Sequence, residues 1–115
     1  VRALICVALL LAAGASSALT DEEMQFEVLA CITAQTFIAA NFEKDGKIVF
    51  ANATYAEARL WVAVWRSFWP SEDHEQYVLP MLTRLRDDFD AGKAKWNLIV
   101  DKAQQCTADM ASMRE

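Results

Sequence analysis

Residues 96–113 read WNLIVDKAQQCTADMASM, and the spacing of their apolar side chains decides the fold. Trp96, Ile99, Ala103, Cys106, Met110 and Met113 follow one another at steps of three, four, three, four and three. That rhythm keeps one apolar seam on one side of an α-helix over about five turns. The segment therefore predicts a helix, and its seam carries a cysteine.

The same rhythm recurs near the other end of the chain. Met24, Val28, Cys31, Gln35, Ile38 and Phe42 share one helical face, with Gln35 its single polar member. Thr20 and Glu23 form an S/T-x-x-E capping box, and Asp21 and Glu22 suit the positive end of the helix dipole. Asp45-Gly46 ends this helix. Cys31, like Cys106, lies on the inward face. Two seams turned to one core bring such residues to the Cα separation of about 5.5 Å that a disulfide requires. The bond would close a loop of about 75 residues, for which chain entropy gives roughly 4–4.5 kcal/mol as an upper guide.

Two further helices fill the interval. KIVF (residues 47–50) reads as extended, with a small hairpin around Asp45-Gly46 as the alternative. The second helix is expected to begin after Asn52 or Thr54, where Thr54 and Glu57 offer another capping box, and to run to Trp69. Pro70 stops it. Ser71 is expected to cap a third helix with Val78, Leu82, Leu85 and Phe89 as its buried stripe, and Pro80 to kink it or split it in two. Asp90-Ala91-Gly92 marks the next break. After residue 18 the only glycines are Gly46 and Gly92 and the only prolines Pro70 and Pro80, too little punctuation for a many-turned β fold. The expected fold class is all-α, a single small antiparallel four-helix bundle with one disulfide, preceded by a cleavable signal peptide. Short connections between the helices favour antiparallel neighbours.

The leader is VRALICVALLLAAGASSA, residues 1–18. Arg2 is basic, residues 3–13 are apolar without a break, and small residues follow up to Ala18, the pattern of a secretory signal. Cleavage after Ala15 or after Ala18 fits equally. The apolar run is short for a membrane span of about 20 residues. A GUG start codon written literally would explain Val1 and point to a bacterial gene; a fragment would look the same. The domain proper is then residues 19–115, in a periplasmic or secreted location. Cys6 leaves with the leader, and Cys31 and Cys106 remain as one pair in an oxidising compartment.

Arg2 leaves as well, so 10 basic side chains face 16 acidic ones. A chain this acidic lacks the basic surface that nucleic acid demands, and it does not suit docking on anionic lipid. No nucleic acid and, after cleavage, no membrane are expected among its partners.

LWVAVWRSFW (residues 60–69) is the most unusual stretch. Its apolar residues fill an arc of about 200° on a helical wheel, more than a bundle helix needs. One reading makes this the most buried helix, with tryptophans as core fillers whose indole N–H groups reach a carbonyl or water. The other makes Trp61, Trp65 and Trp69, with Phe68 beside them, an exposed binding surface for a protein partner or a second copy. A small apolar ligand held between helices is a third use of the same edge.

Catalytic chemistry is sparse. His74 is the only histidine and sits in the acidic SEDHEQ run, where an exposed position is expected and no second strong ligand for a metal is at hand. Neither a P-loop, a dinucleotide fingerprint nor a nucleophile elbow is present, and no cofactor is expected. Asp87, Asp88 and Asp90 read as a solvated face on which Arg84 pairs with Asp88 and Arg86 with Asp90. A hydrolase would need two carboxylates about 5–9 Å apart in one cleft, with Glu57 as the nearest candidate. Asn52-Ala53-Thr54 matches a glycosylation acceptor, though the same residues serve as a helix cap.

The expected role is therefore non-enzymatic, binding or structural. The profile of export, small size, helices and one disulfide is similar to that of small periplasmic acid-stress chaperones. The likeness covers the profile only, and no motif or residue is carried over.

Overall fold

A computed structural model describes residues 19–114 as four helices: α1 (Asp21–Lys44), α2 (Ile48–Phe68), α3 (Glu75–Asp90) and α4 (Trp96–Met113). No strand occurs among the described residues. The leader expected over residues 1–18 lies outside them.

α1 begins as its sequence specifies. The Thr20 hydroxyl accepts from the Glu23 N–H at 3.1 Å, and the Glu23 carboxylate accepts from the Thr20 N–H at 2.9 Å. Hydrogen bonding from Thr20 to the Glu23 carboxyl, from its backbone N–H first and its side chain second, holds that carboxyl below its usual range. α1 ends at a left-handed Gly46, φ 77°. There the Lys47 N–H reaches the Phe42 carbonyl at 2.8 Å and the Gly46 N–H reaches Glu43 at 3.0 Å, a Schellman motif. Gly92, φ 75°, closes α3 with the same pair of bonds, Lys93 to Asp88 and Gly92 to Phe89.

This turn accounts for the first departure from expectation. The Schellman motif reverses the chain within two residues, so KIVF is not extended; Ile48–Phe50 already form the first turn of α2. Thr54 lies inside the helix, donating its hydroxyl to the Phe50 carbonyl at 2.8 Å rather than capping. α3 starts later than Ser71, at Glu75, where Asp73 accepts from the Glu75 N–H at 3.0 Å. Pro80 does not split α3. Pro80 and Gln76, whose carbonyl loses its helical donor, are both exposed, so water can satisfy that group.

The second departure concerns which helix is central. α2 was the sequence's candidate, yet α1 holds ten buried residues against five in α2. α1 is buried all round through its middle, Cys31 to Gln35, because α2, α3 and α4 all pack on it. Cys31 and Cys106 meet on the α1–α4 side at disulfide distance, sulfurs 2.17 Å and Cα atoms 5.7 Å apart. One helical turn further on, buried Gln35 donates its side-chain amide to the Ala103 carbonyl and the Thr107 hydroxyl, both at 2.9 Å. These bonds satisfy the one polar group of the seam and fix the register of α1 against α4.

Candidate functional site

The aromatic run of α2 turns inward. Trp65 is fully buried, and Trp61 and Trp69 are 4% and 9% exposed. They join Val28, Leu29, Ile32, Met110 and the two cysteines in one core cluster, with Phe68 half-buried against it. The Trp65 and Trp69 rings lie 4.7 Å apart, and the Phe68 ring meets Trp69 at 5.5 Å. The Trp65 indole donates to the Glu72 carbonyl at 2.8 Å, and the Trp69 indole to both Asp21 oxygens at 3.2–3.3 Å. Trp61 differs: its buried indole nitrogen has no hydrogen-bond partner among the described residues, nor has the buried Oε2 of Glu57 one turn earlier. Solvent therefore does not reach a tryptophan edge on α2.

His74 is also more covered than expected, with its side chain 12% exposed and Nδ1 3.9 Å from an Asp73 oxygen. Among the described residues no three histidine, cysteine or acidic side chains come together as metal ligands. None of the described helices is long and apolar enough to cross a membrane.

An open groove lies elsewhere, between α1, α3 and α4. It encloses about 560 Å³, within the size range of small-molecule sites. Phe26, Ala30, Thr33 and Ala34 of α1 line it on one side, and Met81 and Leu85 of α3 on another. Leu98, Ile99 and Lys102 of α4 and residues 93–95 of the preceding turn complete it. The groove exists because α1 presents small side chains where α3 and α4 diverge. The Thr33 hydroxyl reaches the Met81 sulfur of α3 at 3.9 Å, but Ala30 and Ala34 are too short to fill the space beside them, and Phe26 and Leu98 stand at the rim 63% and 61% exposed.

The rim is basic in an acidic molecule. Arg84, Lys93, Lys95 and Lys102 border it, against the single carboxylate of Asp88. Asp88 pairs with Arg84 at 3.9 Å, the expected i,i+4 contact, and Lys102 is held by Glu27. Lys93 and Lys95 meet no carboxylate at salt-bridge distance among the described residues. α4 starts beside them with no side-chain cap and no acid in its first turn, so Asp88, already paired with Arg84, is the one carboxylate among the lining residues.

The sequence held a signal for this site. Phe26, Ala30 and Thr33 recur at steps of four and three, a second stripe on α1 opposite the cysteine seam. From the N-cap into α4, Lys95, Leu98 and Lys102 step by three and four. Reading α1 for a single face passes over the first of these.

Comparison with protein-family models, with curated proteins and with solved structures finds no match for this chain.

Proposed function

We propose that this chain is a small exported binding protein without catalytic activity, and that its binding element is the groove between α1, α3 and α4. In this reading residues 1–18 are a leader that is removed. Residues 19–115 then fold in a periplasmic or extracellular space as an antiparallel bundle closed by the Cys31–Cys106 bond. Contacts between helix ends support that topology: Trp69 at the end of α2 meets Asp21 at the start of α1, and Phe42 near the end of α1 meets both Phe50 and Trp96.

The observation that carries the reading is the open apolar groove with Phe26 and Leu98 exposed along it. Large apolar side chains at the mouth of an unfilled groove are the ordinary setting for an apolar ligand. The test is fluorescence titration of the folded protein at neutral pH with the neutral dye N-phenyl-1-naphthylamine. Saturable binding that Ala30→Phe abolishes by filling the groove is the expected result. Binding that is absent, or indifferent to Ala30→Phe, overturns the reading. A competing reading, a homodimer, draws on the exposed Ile48, Val49 and Phe50 at the start of α2; sedimentation showing a dimer that Val49→Glu dissociates would favour it.

A further inference from the structure

The rim charge says what kind of molecule the groove takes. We infer that its ligand is a single-chain amphiphile with an anionic head, a free fatty-acid-type carboxylate, its chain in the groove and its head at Lys93 and Lys95. The inference rests on the groove reading above and adds the chemistry of the occupant.

Two features point the same way. The walls supply apolar contact from three helices, which suits an alkyl chain and offers few groups for a sugar or a peptide backbone. The mouth gathers four of the ten cations that follow the leader, in a chain whose acidic side chains outnumber its basic ones. Two of the four are already engaged, Arg84 with Asp88 and Lys102 with Glu27. Lys93 and Lys95 are exposed and meet no acid at salt-bridge distance among the described residues, flanking Ala94, which itself lines the groove. A carboxylate head placed there meets two ammonium groups while its chain lies on Ala30, Ala34 and Leu98. A neutral head gains nothing from the lysines, and a cationic head is repelled. The net negative charge elsewhere disfavours an anionic bilayer as the source, because the whole molecule would be pushed from such a surface.

Isothermal titration of the disulfide-intact protein at low salt compares three probes below their micellar concentrations: laurate, dodecyl maltoside and dodecyltrimethylammonium. Laurate is expected to bind about tenfold or more tightly than either of the others, with the advantage shrinking as salt rises. The double variant Lys93→Gln/Lys95→Gln, at two exposed positions, is expected to bring laurate down to the level of the maltoside. Equal affinity for the three heads, or a laurate preference that survives the double variant, overturns the inference while dye binding keeps the groove reading intact. Loss of dye binding itself would remove both. Binding to anionic phospholipid vesicles but not to monomeric laurate would assign the lysines to a membrane and also overturn it.

Discussion

The tryptophan-rich half of α2 and the groove beside α1 are both apolar, but they end in opposite states. Around Trp65 large rings interlock, each aromatic side chain filling space that its neighbour leaves, and the region is closed to solvent. Along the groove the central helix offers Ala30, Thr33 and Ala34, whose small side chains leave space between the neighbouring helices even where the Thr33 hydroxyl reaches the Met81 sulfur. Big side chains close an interface, whereas small ones on a hub helix hold it open. The density of apolar residues in a sequence therefore marks the core, and a site arises where that density is locally under-filled.

The sharpest way to break this contrast is Trp65→Ala. It should cost about 4–5 kcal/mol in urea unfolding, because it empties the centre of the cluster and removes the donor to the Glu72 carbonyl. Replacing Cys31 and Cys106 together by alanine acts on the α1–α4 side of the same cluster. It should lower stability by about 4 kcal/mol or somewhat less, read as a fall in the denaturation midpoint. Gln35→Leu leaves the volume filled but takes the donor from the Thr107 hydroxyl and the second partner from Ala103. A loss of about 1–2 kcal/mol is expected, and a neutral result would show that Gln35 does not hold the α1–α4 register.

A smaller effect depends on pH. Burial, and next the charge of Glu27, push the Asp109 carboxyl up, with Lys102 pulling it back. The folded chain thus holds this proton more tightly than the unfolded chain does. Ionised Asp109 opposes folding at neutral pH, and that opposition fades as pH falls through its folded value. Asp109→Asn should raise the melting temperature at pH 7, and the gain should vanish below the ordinary carboxylate range. A gain that is the same at every pH would contradict this account. The smallest change belongs to the groove: Phe26→Ser and Leu98→Ser should each alter stability by less than about 0.5 kcal/mol. A loss as large as that of Trp65→Ala would place the groove in the core and erase the contrast.

How much of this was legible follows from what each feature depends on. The number of helices and the cap at Thr20 depend on spacing within a chain segment, and the meeting of Cys31 with Cys106 on two such seams sharing one core; spacing is visible in letters. The start of α2 was not legible, because the Schellman turn at Gly46 rather than a capping side chain launches it. The polar Asn52 and Thr54 drew attention to the wrong turn of the same helix. The groove was hardest to see. Phe26, Leu98, Lys93 and Lys95 become neighbours only when α1, α3 and α4 are placed together, and no single periodicity contains that arrangement. The cover over His74 has the same origin, since its exposure is set by the fold of the α2–α3 connection and not by its acidic neighbours.

The sulfur pair between α1 and α4 has a mechanical meaning as well. Tension applied to the two ends of the folded domain runs along α1 to Cys31, crosses to Cys106 and leaves through the last turns of α4. Everything from residue 32 to residue 105, including the whole of α2 and α3, is bypassed. A chain stretched from its ends should therefore yield only its two short outer segments, and the remainder should extend only after a reductant opens the link.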